Sequence, residues 1–168
     1  MAIRNVLKNF NLFVDGRGYA GELGDYTPCS PSVAAEEWRA GGMNAPVDID
    51  MGQEKMTSSF VLKNYSADVL ALWGIAPGKL IQFTARGALE SEDGTVTPVI
   101  HNMRAKILQN DRGTWSPGQS ASLTTNLSVE YFKETIGGQV VTEIDVINMV
   151  RIVGGVDHLA AQRAALGI

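Results

Sequence analysis

The run ASLTTNLSVEYFK, from Ala121 to Lys133, alternates apolar and polar side chains along most of its length. A period of two is typical of a β-strand with one buried and one exposed face. Its apolar positions are Leu123, Leu127, Val129 and Tyr131. Its polar positions are Ser122, Thr124, Asn126, Ser128 and Glu130. The run therefore predicts a long strand with one face in a core and a small, hydroxyl-rich face outside it.

Further strands are predicted on both sides of this run. The clearest is Leu80–Ser91, in which Ile81, Phe83 and Ala85 share one face. The other candidates are Lys55–Leu62, Val96–Leu108 and Gln139–Ile147. Turn residues separate them at Asp15-Gly16, Glu92–Thr95 and Gly137-Gly138, with a longer loop at Asp111–Gly118. Trp115 in that loop is either a subunit-contact anchor or a local pin for the loop. Short turns between strands indicate antiparallel pairing.

Two short helices are predicted beside the strands. The first spans Ser66–Gly74, with Ser66 as its N-cap, and we expect its Trp73 in the core. The second lies at the C-terminus, with Asp157 as its N-cap and Gly167 after its last turn. The predicted fold is thus mainly β, with a minor α+β character. It is an antiparallel β-sandwich or barrel-like subunit with one internal and one C-terminal helix, and residues 1–168 form a single domain.

Composition excludes several classes of protein. The net charge is -4 and the basic residues are scattered, whereas a nucleic-acid-binding chain normally carries a basic cluster. Cys29 is the only cysteine, so an internal disulfide is impossible. No apolar run approaches the roughly 20 residues that span a bilayer, and the N-terminus does not resemble a signal peptide. We expect no stable membrane association.

The segment Trp38–Glu54, WRAGGMNAPVDIDMGQE, is rich in glycine and in acidic residues. We predict an extended loop between strands over about residues 39–52. Its carboxylates do not match a calcium-binding EF-hand, because the glycine falls one place too early and Ser59 replaces the bidentate glutamate. Asp48 and Asp50 would lie on the same face of an extended segment, because strand side chains repeat every two residues. Two interpretations are open: a partly solvated strand face, or a weak divalent-ion site. We predict no metal site.

The sequence GRGYAG, Gly16 to Gly21, fits the pattern of a dinucleotide-binding loop. Such a loop must open a helix, and the following ELGDYTPCSP contains two prolines and a glycine. A glycine-rich hairpin is therefore predicted, with no cofactor. His101 and His158 are the only histidines and belong to no catalytic motif, although folding could pair either with an acidic residue.

The chain resembles the major tail tube protein family of contractile phage tails and R-type pyocins. The resemblance covers nearly the whole length and rests on blocks that occur in family order. They are NLFVDG, EEWRAGGMNAPVDIDMGQEKM, DRGTWSPGQ, VEYFKETIGGQVVTEIDVINM and VGGVDHLAAQRAALGI. The RAGGM…PVDIDMG block favours this family over the tube proteins of type VI-like injection systems, which share the architecture.

The resemblance implies a structural subunit with no catalytic residue and no cofactor. Six subunits would form a ring with a continuous β-barrel, and rings would stack into a tube that conducts DNA in a phage or leaks ions in a pyocin. Implied partners are the chain itself, tail sheath protein, baseplate and tail terminator proteins, and tape-measure protein, with DNA as transient cargo. The tube would lie in a virion tail or tailocin particle and assemble in the host bacterial cytoplasm.

The resemblance also implies where subunits meet. The implied inter-subunit contact residues are Trp38, Arg39, Gly41, Gly42, Met43, Pro46, Val47, Asp48, Ile49, Asp50, Gly52 and Glu54. The candidate lumen face is Ser122, Thr124, Asn126, Ser128 and Glu130, since small neutral groups would let DNA slide. Arg86, Arg104 and Lys106 would interrupt such a lining unless they pair with Glu90 or Glu130, or face the sheath. A rival prediction, a small β-barrel hydrolase or ligand-binding protein, requires a histidine beside an acidic residue in a deep pocket.

Overall fold

A computed structural model describes residues 5–74 and 78–168 of the chain. Its described strands are β1 Val6–Val14, β2 Arg17–Gly18, β3 Leu23–Thr27, β4 Val33–Trp38, β5 Val47–Gln53, β6 Met56–Leu62, β7 Ile81–Glu90, β8 Val96–Asp111, β9 Leu123–Ile136, β10 Gln139–Asp145, β11 Val150–Val153 and β12 Val156–Asp157. Its described helices are α1 Ala67–Ala71 and α2 Ala160–Leu166. Neither of these helices is long and apolar enough to cross a membrane. The predicted fold class, mainly antiparallel β, is confirmed.

Strand β9 holds the main sheet together, because strands pair with both of its edges. Strand β8 pairs along one edge, and β7 and β1 follow in order. The other edge is divided between two partners: β6 pairs with Leu123–Val129, and β10 pairs with Tyr131–Ile136. The sheet continues from β10 to β11 and β12, while β3 pairs with the far edge of β6. A separate two-stranded sheet contains only β4 and β5.

One hydrophobic core collects the inward-facing side chains of the main sheet. Phe60, Phe83 and Phe132 are its largest fully buried side chains, and each is at most 2% exposed. Leu12 from β1, Met103 from β8 and Leu123 from β9 are also fully buried. The predicted alternation of β7 is confirmed, because Ile81, Phe83 and Ala85 are all buried.

An irregularity at Glu130 reverses the alternation of β9. Arg104 of β8 lies opposite Tyr131, but the next residue, Ala105, lies opposite Val129, so β9 has one extra residue between them. The prediction that Tyr131 joins the buried face is therefore wrong: Phe132 is buried instead. A β-bulge of this kind adds one residue to one strand and shifts every later side chain to the other face.

The helices differ in detail from the prediction. Ser66 caps α1 as expected, with its side chain accepting from the Val69 amide. Trp73 is not in the core; it is exposed, and its indole N–H donates to the carbonyl of Leu108. The α2 helix begins after Leu159, because Asp157 belongs to β12 and binds the Leu159 amide and Arg163.

Turn residues occupy the predicted places, with one large difference. Asp15 and Gly16 have positive φ, at 49° and 82°, and they join β1 to β2 as predicted. The predicted loop over residues 39–52 is shorter than expected, because β5 already begins at Val47. Val47, Ile49 and Met51 do alternate with Asp48 and Asp50, but the nearby glycines and Pro46 favoured a loop at these positions.

Replacing Phe83 with alanine tests the position of the core. We expect the free energy of unfolding to fall by about 3–5 kcal/mol, because a fully buried aromatic side chain leaves a cavity. Denaturant unfolding of the dilute chain, where assembly adds nothing, measures this. The control is Val156→Ala, at a side chain that is 60% exposed, with an expected change within about 0.5 kcal/mol. Equal losses in the two variants would contradict the assigned core.

Candidate assembly surfaces

The hairpin arm, defined as β4, β5 and the turn between them, carries most of the contact residues implied by the family resemblance. In its ladder Trp38 lies opposite Val47, and Glu36 lies opposite Ile49. Alternation along β5 places Val47, Ile49 and Met51 on one face. The side chains of Trp38, Val47, Ile49 and Met51 are between 43% and 59% exposed. The arm therefore presents an uncovered apolar face.

The other face of the arm is acidic. Glu37 lies opposite Asp48, and Ala35 lies opposite Asp50. Like charges directly across a ladder are destabilising. In the described part of the chain neither Glu37 nor Asp48 has a cation within ion-pair distance. The described residues also contain no group of three metal-ligating side chains.

Asp50 connects the acidic face to the main sheet. Its carboxylate accepts from the backbone N–H of Gly52 at 2.8 Å and from the Arg151 guanidinium at 2.9 Å. These two interactions lower the pKa of Asp50 below its ordinary value of 3.8. Arg151 lies on β11, so the ion pair ties the arm to the sheet. No local sequence pattern signals this contact, because Asp50 and Arg151 are far apart along the chain.

The remaining contact residues lie in the turn of the arm and at its base. Arg39 donates from Nε to the carbonyl of Met43 at 3.3 Å, and Gly42 adopts a φ of 89°. Gly41 and Pro46 lie in the same turn, outside the two strands. At the base, the Ser32 hydroxyl donates to Glu54 at 2.6 Å. Arg39 thus contacts its own turn, and Asp50 and Glu54 have partners within the chain.

The candidate lumen residues share the side of β9 that faces away from the core. Thr124, Asn126 and Ser128 are half-buried and alternate with buried neighbours, while Ser122 precedes the strand and is exposed. Across the ladder to β6, Ser128 lies opposite Thr57, and Asn126 lies opposite Ser59. Together these side chains form a polar sheet face of hydroxyl and amide groups.

Two of the three cations expected beside the polar sheet face, Arg104 and Lys106, are paired with acidic groups, whereas Arg86 has no carboxylate partner among the described ion pairs. Lys106 forms an ion pair with Glu130 at 2.6 Å, as the sequence suggested. Arg104 pairs with Asp145 at 3.0 Å, and its guanidinium also lies 4.4 Å from the centre of the Tyr131 ring. Burial, and then the hydrogen bond to Glu143, raise the pKa of Tyr131 to about 12, so its hydroxyl stays neutral.

Folding does bring a histidine beside an acidic residue, as the rival prediction requires. His101 is buried, with Nε2 at 3.2 Å from Glu134 and Nδ1 at 3.2 Å from the Tyr26 hydroxyl. Burial raises the pKa of Tyr26 well above its usual range. No nucleophile or oxyanion donor accompanies these groups among the described hydrogen bonds, so they form a side-chain network. His158 is exposed, and its backbone N–H donates to the carbonyl of Arg151.

A groove of about 400 Å³ lies beside His101, at the end of the inner sheet face. This inner-face groove is lined mainly by apolar side chains, among them Leu7, Phe10, Leu89, Val99 and Ile136. They come from the ends of β1, β7, β8 and β9. The groove cannot be read from the sequence, because no single stretch of the chain contains more than a few of its residues.

Trp115 lies in the loop between β8 and β9 and is 78% exposed. Its indole N–H donates to the Tyr65 hydroxyl at 2.6 Å, and Tyr65 in turn donates to the carbonyl of Arg112. The hydrogen bond to Tyr65 therefore fixes Trp115 within its own loop, although most of the indole side chain remains exposed and available for contact with another subunit.

The tie between Asp50 and Arg151 is tested by Arg151→Met. We expect the pKa of Asp50, measured by NMR titration, to rise only part of the way to 3.8, because the Gly52 N–H remains. Hydrogen exchange at the base of the arm should become faster, while exchange within β7–β9 stays unchanged. Lys133→Met, at another ion-paired cation, is the matched control.

The same contact fixes the sign of a pH effect. Folding lowers the pKa of Asp50, so the ionised carboxylate stabilises the folded arm. This stabilisation is fully present above the ordinary pKa of 3.8 and is lost as the pH falls below that value. After correction for the intrinsic exchange rate, the protection of the wild-type arm should therefore fall only in acid, while the arm of Arg151→Met is already poorly protected at neutral pH. An unchanged arm in this variant would mean that Arg151 does not hold it.

Comparison with known proteins identifies the family. The family model of phage tail tube protein FII matches residues 4–167. The tail tube protein of Escherichia phage P2 is 28% identical over 172 aligned residues, covering 100% of both chains. The major tail tube protein of Serratia phage KSP20 is 25% identical over 152 residues, covering 89% of this chain and 88% of its relative.

Two solved structures share the fold. A chain in the anti-feeding prophage baseplate has a TM-score of 0.57 at 16% identity, covering 83% of this chain and 99% of that one. Hcp1 from Flavobacterium johnsoniae has a TM-score of 0.50 at 15% identity, with the same coverages of 83% and 99%. Because the family model spans nearly the entire sequence, this chain belongs to the phage tail tube protein FII family.

Proposed function

We propose that the chain assembles into six-subunit rings, and that these rings stack into a tube whose channel conducts DNA during ejection from a phage. Membership of the family makes the chain a structural tube subunit of a contractile tail, and not an enzyme. The observation that carries the proposal is the hairpin arm, whose apolar face is uncovered in the single subunit. Apolar patches of this kind mark interaction surfaces.

Open sheet edges support ring formation. Strand β1 pairs with β7 along one edge, but β2 covers only Phe13 and Val14 of the other edge. Within the described residues, the backbone of Val6–Asn11 has no strand partner on that side. A neighbouring subunit could satisfy these N–H and C=O groups, since closing a sheet into a ring removes its edges.

The polar sheet face is the proposed lining of the lumen. Ser122, Thr124, Asn126 and Ser128 offer small neutral groups, and Glu130 is neutralised by Lys106. DNA is held chiefly by unpaired cations that contact its phosphates. A surface on which most cations, such as Arg104 and Lys106, already have carboxylate partners would let the phosphate backbone pass without binding it strongly.

The hairpin arm is the proposed contact between neighbouring subunits. Its residues are those of the implied set from Trp38 to Glu54, and Arg39, Gly41, Gly42, Met43 and Pro46 form its turn. A contact between an arm on one subunit and a different surface on the next is heterologous, and such contacts propagate into rings or filaments. The arm thus provides a means of joining many copies.

The finer partners follow from the same role. We infer that the tail sheath protein surrounds the tube, that baseplate and tail terminator proteins bind its ends, and that the tape-measure protein occupies its channel before DNA does. Assembly would take place in the host bacterial cytoplasm. The relatives from phages P2 and KSP20 favour a phage particle over a bacteriocin. The likeness to Hcp1 leaves the tube of a type VI-like injection system as the second candidate.

Electron microscopy tests the tube directly. We expect negative-stain images of the purified chain, taken at rising concentration, to show rings and then hollow tubes, because subunit association follows mass action. Val156→Ala serves as an assembly-competent control, since it lies outside the proposed surfaces. A chain that remains monomeric at every concentration would contradict the proposal.

Thiol labelling tests the lining of the lumen. In Asn126→Cys we expect a bulky polyethylene glycol maleimide to label dispersed subunits but not tubes, while a small maleimide labels both. The native Cys29 should not interfere, because it is buried and burial raises its pKa to about 11. Equally fast labelling of tubes and subunits by the bulky reagent would place Asn126 outside the lumen.

A further inference from the structure

Two apolar surfaces of the chain remain uncovered and do not meet each other. One is the apolar face of the hairpin arm, formed by Trp38, Val47, Ile49 and Met51. The other is the inner-face groove beside His101. The four side chains of the arm stay at least 43% exposed, so the groove of the same subunit does not cover them.

The groove is suited to an apolar strand or hairpin. Leu7 is 53% exposed, whereas Leu89, Val99 and Ile136 are half-buried and form the walls. Gly87 also lines the groove, and a Cβ added there would lie 2.9 Å from Leu7 Cδ1. The absence of a side chain at Gly87 therefore leaves room for Leu7 and keeps this end of the sheet open.

Charges at the two surfaces are complementary. Glu36 lies on the apolar face of the arm, opposite Ile49, and no cation lies within ion-pair distance of its carboxylate in the described residues. Glu37 and Asp48 lie on the other face of the arm. Lys8 follows Leu7 of the groove at an irregularity of β1. Arg86 lies between Ala85 and Gly87 of the groove, so its side chain points to the other side of the sheet. Neither cation has a carboxylate partner among the described ion pairs. Glu134 of the groove is already bound to His101.

We propose that the apolar face of the hairpin arm docks into the inner-face groove of a second copy of this chain, with Lys8 facing Glu36 of the arm. This inference rests on the proposed tube function and names the surface that receives the arm. Each subunit has one arm and one groove, so the contact uses two different surfaces. It continues from copy to copy, as a ring or stack of rings requires.

Disulfide cross-linking tests the docking. The double variant Ile49→Cys/Leu7→Cys places one thiol on the arm and one in the groove, and both positions are exposed in the single subunit. Under a mild oxidant, at concentrations where tubes form, we expect a ladder of covalent oligomers, since each chain can link to two others. Docking raises the effective concentration of the two thiols, so the yield should exceed that of unrelated pairs by at least about tenfold.

Matched variants define the outcomes. Val156→Cys/Leu7→Cys is the control, because Val156 is at least as exposed as Ile49 but lies on neither surface. A mixture of the two single variants should give dimers and no ladder. Tubes without a ladder above the control would overturn the docking and leave the proposed function intact. Dimers of Ile49→Cys alone at the same yield would overturn it in favour of arm-to-arm pairing. Absence of rings and tubes would instead overturn the proposed function.

Leu7→Glu provides a test without cross-linking. Because Leu7 is exposed in the single subunit, the substitution should leave its folding intact, as circular dichroism can verify. The glutamate would meet the apolar face of the incoming arm and the Glu36 carboxylate on that face. We expect the concentration needed for tubes to rise by about tenfold or more, and an unchanged concentration would overturn the docking.

Discussion

The bulge at Glu130 is the feature on which the rest of the sheet depends. Before it, β9 pairs with β6 and directs Leu123, Leu127 and Val129 into the core. After it, the same strand edge pairs with β10, and Phe132 is the buried side chain. The extra residue thus lets one strand serve two partners without losing its core face. The Val146 amide donates to the carbonyl of Glu130, which occupies a backbone group at the irregular position.

The hairpin arm, unlike the core, is not stabilised by the burial of apolar side chains within the subunit. It buries almost nothing, and it places Glu37 opposite Asp48, an arrangement that works against pairing. Its base is nevertheless fixed by the Asp50–Arg151 ion pair and by the contacts of Ser32. A segment that is held at one end and unfavourable in solvent at the other gains stability when a neighbour supplies apolar surface and positive charge. Assembly and the folding of the subunit therefore draw on separate sets of residues.

The sequence could predict elements that depend on local chemistry. Alternation located β7, and paired turn residues located the connections at Asp15-Gly16 and Gly137-Gly138. It could not predict the bulge, because Tyr131 and Phe132 are both acceptable in a core and only the β8 register distinguishes them. It placed most of β5 in a loop, because Pro46 and the glycines around it outweighed the alternation of apolar and acidic residues from Val47 to Met51. The inner-face groove and the contact between Asp50 and Arg151 could not be predicted, because segments that are distant along the chain form them.

The ion pairs beside the polar sheet face suit the proposed passage of DNA along it. A channel lining could avoid binding DNA by having no cations, yet β8–β10 contain Arg104, Lys106 and Lys133. Each is paired with a carboxylate, respectively Asp145, Glu130 and Glu143. Phosphates bind when they displace counterions from free cations, so a cation already neutralised at short range gains much less from DNA. Charged side chains can therefore support the sheet at this face while the surface remains weakly attractive to its proposed cargo.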